Sequence, residues 1–215
     1  MLKTERMDRV RASLRAQGLT QMIVCDPKSV WYLTGVAVEP YERLLALYLP
    51  TEGEPVLFLN RLFNVPEPPC RTVWHTDTDK PVAQIAEVVD AGRPLGIDKE
   101  WPAKFLIPLM ETHPGMQVVL SSDCVDDCRA CKDAEEQALM REASRINDAV
   151  NEAAKHYIKA GMTEREVAEF IDAQFRAHGC EGPSFTTIVS FGANAADPHH
   201  EPDDTVLKEG DCVLF

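Results

Sequence analysis

The chain has 215 residues, 45% apolar and 27% charged, an ordinary globular composition that suggests roughly one to two domains. Its formal net charge of −13 repels phosphate backbones and anionic lipid, so neither a nucleic-acid nor a membrane partner is expected. No apolar run approaches the ~18 residues of a membrane span, the charged start MLKTERMDRVRASLRAQG is unlike a secretory signal, and seven unevenly spaced cysteines point to free thiols in a reducing cytoplasm.

In chain order, residues 2–17 are expected to be helical, because Met7, Val10 and Leu14 recur at helical spacing and Gly18 suits the position past a helix end. MIVCD (22–26) reads as a buried strand, and WYLTG (31–35) follows it. LLALYLP (44–50) and PVLFLN (55–60) resemble a strand pair joined by the turn TEGE. VPEPPC (65–70) must be loop, since proline cannot donate to a ladder. Residues 81–91 are expected as a helix, LGID (95–98) as a strand, 101–112 as a helix and QVVLSS (117–122) as a strand. This alternation predicts an α/β domain over residues 1–123.

A polar, cysteine-rich segment, 124–131, reads as a linker, and a second domain begins at residue 132. A long helix is expected to run to Ala160, with Asp133 and Glu136 at capping-box spacing at its start. Thr163 and Glu166 repeat the signature for a second helix with Val167, Phe170, Ile171 and Phe175 on one apolar face, closed by Gly179. Ser184 to Phe215 then read as a strand, a GANAA loop, Pro198-His199-His200, an acidic turn and a final strand from Asp211. The last four residues, Cys212 to Phe215, have the look of a buried strand, so the sequence is expected to be the front part of a longer protein.

Several chemistries are weighed here. Cys124, Cys128 and Cys131 form a C-x3-C-x2-C cluster, but a zinc site needs a second ligand pair, and linker thiols are the better reading. Cys25, Cys70, Cys180 and Cys212 read as small buried or loop residues. Ser184 and Ser190 lack a G-x-S-x-G elbow, and GANAA lacks the ending of a phosphate loop. His75, His113, His156 and His178 are isolated and are read as surface or helix-end residues; for Trp31 and Trp74 core packing is favoured over lining a substrate pocket in the N-terminal domain. His199 and His200 lie in a loop crowded by Asp197, Glu201, Asp203 and Asp204, and composition alone gives them no role.

The order of elements is more specific than any of these. A long helix, a capped second helix, a strand, a GxNAAxPHH loop and an L-x-x-G-D-x-V strand resemble the pita-bread-fold metallopeptidase family. Within it the chain is most similar to Xaa-Pro dipeptidase (prolidase) and aminopeptidase P, and creatinase shares the layout. Residues 6–123, with YLTG at 32–35, resemble the family's N-terminal domain. Residues 129–160, with Arg129, Lys132, Glu135 and Glu136, resemble the opening helix of its catalytic domain. The fold implied is α/β: a creatinase-like N-terminal domain, then the beginning of a pita-bread α+β domain over 132–215.

The resemblance implies hydrolysis of the bond before proline in short peptides by a cytoplasmic homodimer holding two divalent ions, with manganese favoured over zinc or cobalt. It implies a catalytic, substrate-contacting role for His199 and a substrate-binding role for His200. The family's metal ligands are two Asp, one His and two Glu, and none of these is expected within residues 1–215. Two alternatives remain: a creatinase-like or other C–N hydrolase on the same scaffold, and a metal-free scaffold that has lost the ligands.

Overall fold

A computed structural model describes residues 2–215, and the chain divides into two compact units, Met1–Lys132 and Asp133–Phe215. The first unit opens with α1 (Thr4–Ala16), β1 (Gln21–Val24), α2 (Pro27–Thr34), β2 (Ala46–Pro50), β3 (Val56–Asn60) and β4 (Arg71–His75). It continues through α3 (Pro81–Ala86), β5 (Leu95–Ile97), α4 (Ala103–Thr112), β6 (Val118–Leu120) and α5 (Asp123–Ala130).

Its six strands form one sheet in the order β4-β3-β2-β1-β5-β6. β1–β2 and β2–β3 are antiparallel, while β3–β4, β1–β5 and β5–β6 are parallel. Successive strand side chains point to opposite faces, and here both faces are covered. Met22 and Val24, Leu47 and Leu49, and Leu57 and Leu59 join the core that includes Met7, Val10 and Leu14 of α1. Ile23, Ala46, Tyr48, Val56 and Phe58 join the opposite core with Ile85 of α3 and Leu109 of α4. Two-sided burial explains why β1, β2 and β3 read as almost continuous apolar runs.

Residues 124–131, residues 129–160, His75 and Trp31 differ from the sequence-based expectation. WYLTG, to which no element is assigned from sequence, is the end of a helix, α2, whose start is capped by Asp26 through the Lys28 and Ser29 N–H groups. Residues 124–131, expected as linker, are mostly α5, and Cys124 and Val125 are buried against α1. Residues 129–160 are therefore not one helix: Arg129 belongs to α5 and bonds to Asp26 Oδ2 at 3.1 Å and Ser29 Oγ at 3.0 Å. His75 is buried, with Nε2 3.1 Å from the Leu44 carbonyl, so it is a core residue and not a surface one. Trp31, assigned to the core, is 53% exposed.

The second unit is a helical hairpin with a small ladder. α6 (Ala134–Tyr157) and α7 (Glu164–Ala177) each begin at a complete capping box, Asp133 with Glu136 and Thr163 with Glu166. β7 (Ser190–Phe191) pairs antiparallel with β8 (Val213–Leu214). Val150 and Ala154 of α6, Val167 and Ile171 of α7, and Val189, Phe191 and Leu207 form the core. Tyr157 and Phe170 stack at 3.8 Å beside it. β8 pairs with β7 alone, and Leu214 and Phe215 are 39% and 42% exposed.

Gly96 shows how tightly the first sheet is packed. A Cβ there would lie 2.5 Å from Ser121 Oγ, 3.1 Å from Met22 Cβ and 3.2 Å from the Gln21 carbonyl. Gly96→Ala is expected to destabilise by about 1–3 kcal/mol through overpacking, read as a lower urea midpoint with unchanged slope.

Candidate functional site

The loop from β7 to the acidic turn is held against the start of α7. Thr163 bridges to Val206, the Gly161 N–H donates to the Leu207 carbonyl at 2.8 Å, and the Leu207 N–H donates to the Met162 carbonyl at 2.8 Å. These contacts bring the returning strand alongside the N-terminus of α7. The chain between β7 and that return includes a 3-10 turn, Gly192–Ala196, then Asp197 to Thr205. Gly192 begins the turn at φ 52, where a Cβ would meet Asp211 Oδ1 at 3.2 Å; glycine suits both demands.

Glu164, the first residue of α7, lies at the centre of this loop and is fully buried. Its Oε1 accepts from the Phe191 N–H at 2.7 Å and Asn194 Nδ2 at 3.0 Å. Its Oε2 accepts from His200 Nε2 at 2.7 Å and the Asp203 N–H at 3.1 Å. The hydrogen bond to Glu164 raises the His200 pKa above the ordinary histidine value, and Asp203 and Asp197 add to the rise. Asp203 is lowered, chiefly by hydrogen bonding from Thr205.

The two histidines singled out from sequence have different surroundings. His199 is exposed, its backbone N–H donates to Asp197 Oδ1 at 2.9 Å, and its ring makes no hydrogen bond among the described residues. His200 has a side chain only 18% exposed and is tied to Glu164. Ser190 is fully buried with its Oγ unpartnered, so no Ser–His pair forms. Cys124, Cys128 and Cys131 make no metal-ligand cluster among the described residues. An apolar groove of about 800 Å³ in the second unit, lined in part by Ile146, Val150, Ile171, Phe175 and Phe185, includes neither histidine. Glu164 was missed because an acid in a helix's first turn is sufficiently explained by the helix dipole. The available signal was a second acid beside the capping pair Thr163 and Glu166.

Residues 6–131 match the creatinase/prolidase N-terminal domain family, and residues 138–215 match metallopeptidase family M24. The chain belongs to this family of metallopeptidases: a creatinase-like α/β domain followed by the beginning of a pita-bread domain. Among solved structures it is similar to dipeptidase PepE from Mycobacterium ulcerans, with TM-score 0.87 and 29% identity over 98% of this chain and 58% of that one. It is also similar to a prolidase from Thermococcus sibiricus, with TM-score 0.86 and 27% identity over 99% and 60% of the two chains. A putative dipeptidase, YkvY of Bacillus subtilis, is 29% identical over 225 residues, covering 98% of this chain and 60% of the relative. The chain spans 55% to 60% of the length of such curated relatives.

M24 peptidases are typically dinuclear metal enzymes. The described residues bring together one group able to ligate a metal, Glu164, His200 and Asp203. It does not suit an ion of that kind. Both Glu164 oxygens already accept two donors each, two of the four being fixed backbone N–H groups. A metal would have to displace His200 from Oε2 and leave buried donors unpaired, at about 1–3 kcal/mol each. Titrating this chain with Mn²⁺ in a calorimeter is therefore expected to show no stoichiometric binding. A one-to-one isotherm abolished by Glu164→Gln would contradict that.

Proposed function

We propose that the protein is an Xaa-Pro peptidase, hydrolysing the bond before proline in dipeptides or short peptides, and that His199 is its substrate-side group. The observation that carries this reading is the likeness to the Thermococcus sibiricus prolidase, which extends over 99% of this chain. The likeness to dipeptidase PepE supports the short-peptide class. We further propose a cytoplasmic homodimer whose two ions, manganese by preference, are held by ligands outside residues 1–215. Oxygen-rich ligation of the kind expected suits manganese.

The bond before proline has no amide hydrogen, and its nitrogen is locked in a ring. Hydrolysis adds water's oxygen to the carbonyl carbon, breaks the C–N bond and delivers a proton to the proline nitrogen. A substrate-side group must therefore hydrogen-bond the carbonyl oxygen or supply that proton. An imidazole can do either near neutral pH. His199 has the free ring that such a role requires, and its loop is anchored on both sides, by Asp197 before it and His200 after it. His200, tied to Glu164 through Nε2, is proposed to help bind substrate from the same loop.

The test uses the protein carried through the full length of its relatives, assayed on an Xaa-Pro dipeptide and its Xaa-Ala counterpart with added Mn²⁺. Selective cleavage of the Xaa-Pro substrate is expected, and His199→Ala should lower kcat by about 10²–10⁴-fold. No hydrolysis, equal hydrolysis of both dipeptides, or cleavage of small amidines instead would sink the reading.

A further inference from the structure

We propose that Glu164 is a positioning residue whose buried carboxylate fixes the 191–203 loop and holds His200 as a hydrogen-bonded imidazolium, presenting Pro198-His199 in one conformation. The inference rests on the reading of His199 as the substrate-side group, and it adds a residue that touches no substrate.

The helix does not need this carboxylate. Capping of α7 is already complete through Thr163 and Glu166, with the Glu166 N–H on Thr163 Oγ1 at 3.2 Å and the Thr163 N–H on Glu166 Oε2 at 2.8 Å. The Glu164 side chain instead gathers donors from the end of β7, the 3-10 turn and the acidic turn. Each oxygen takes one backbone N–H and one side-chain donor, so four donors converge on one ionised group. An amide in its place would offer one oxygen and turn an NH2 toward the other two donors.

The same network sets the proton on His200. Asn194 Nδ2 lies 3.1 Å from the His200 Nε2, but it is itself a donor, with Glu164 Oε1 at 3.0 Å and Thr205 Oγ1 at 3.1 Å as acceptors for its two hydrogens. Nε2 is left to donate to Glu164 Oε2, which fixes the assignment. His200 Nδ1 makes no hydrogen bond among the described residues. The charged groups that act most strongly on the ring are acidic: Glu164 from α7, and Asp203 and Asp197 from its own loop, while Arg165 of α7 is paired with Asp204. A ring that donates through Nε2 to a carboxylate in such surroundings favours the doubly protonated form.

The linkage has a definite sign. A folded-state pKa raised above the unfolded value, ~6.5 for histidine, contributes stability that is fully present below that value. The contribution is lost as pH rises through the raised folded value.

The deciding experiment follows the His200 ring by NMR from pH 5 to 9 (on the order of the range over which histidine titrates), together with hydrogen exchange at the Phe191 and Asp203 amides. In the unmodified protein His200 should titrate above ~6.5, with both amides protected. Glu164→Gln should lower that midpoint, because the hydrogen bond from Nε2 to a carboxylate is the leading cause of the rise. It should also speed exchange at both amides, and kcat on an Xaa-Pro dipeptide should fall by more than KM rises. His200 titrating at or below the ordinary value, unprotected amides, or a midpoint indifferent to Glu164→Gln would overturn the proposal. If Glu164→Gln does not fold, the unmodified protein's titration decides. His200→Gln, which retains an N–H donor, should then keep the Phe191 and Asp203 amides protected, and their loss would also overturn it. Absence of Xaa-Pro hydrolysis in the unmodified protein would overturn the peptidase reading alone, leaving titration and exchange to judge Glu164.

Discussion

A single buried carboxylate, Glu164, holds the candidate site together. Taking an ion out of water is costly, and it is tolerated only when fixed donors replace the lost hydration. Here they come from Phe191, Asn194, His200 and Asp203, and the positive end of α7 adds its field. The arrangement is asymmetric in its consequences. The net gain of each hydrogen bond is modest, about 1 kcal/mol, whereas a buried donor left unpaired costs about 1–3 kcal/mol. The loop therefore has one well-satisfied arrangement and few cheap alternatives. Fold and site meet in this residue: it begins a helix, closes a loop and determines the surroundings of a histidine.

The first unit uses buried polar groups differently. Gln21 receives the Asp90 N–H and donates to the Asp90 carbonyl, fixing the turn before β5. Asp98 accepts from the backbone N–H groups of Cys25, Asp26 and Glu100, which joins the ends of β1 and β5. Burial is the main cause of its raised pKa. Buried His75 and Asn60 lead outward to exposed Asp77, which Arg43 grips through two bonds of 2.9 Å. These groups lock strand ends and turns, and their polar atoms are turned toward backbone or toward one another.

Local signals made much of this readable in advance. The β2–β3 hairpin, α1, α4 and both capping boxes followed from apolar spacing and from cap residues at fixed offsets. What escaped depends on tertiary context. β4 is the short run Arg71–His75, only partly buried and preceded by a proline-rich loop, so its alternation is faint. α5 is polar apart from Cys124 and Val125, and α1 supplies the surface that makes those two residues a core. The histidines were visible through their motif. Their division into a free ring and a bound one was not, because Glu164 reaches His200 from 36 residues away.

The strand order also bears on how the chain is made. β1 emerges before the other strands of its sheet, yet it ends up inside the sheet, with Met22 opposite Leu49 on one side and Gly96 on the other. The hairpin side can form once β2 and β3 have been synthesised. The parallel side must wait for β5, and closing so long a loop carries an entropic cost that slows folding. Until then the nascent chain displays an apolar strand with one bare edge, the kind of surface that other chains extend. The period between the emergence of Val24 and that of Ile97 is therefore when this protein is most exposed to misassembly, and when a chaperone would have the most to shield.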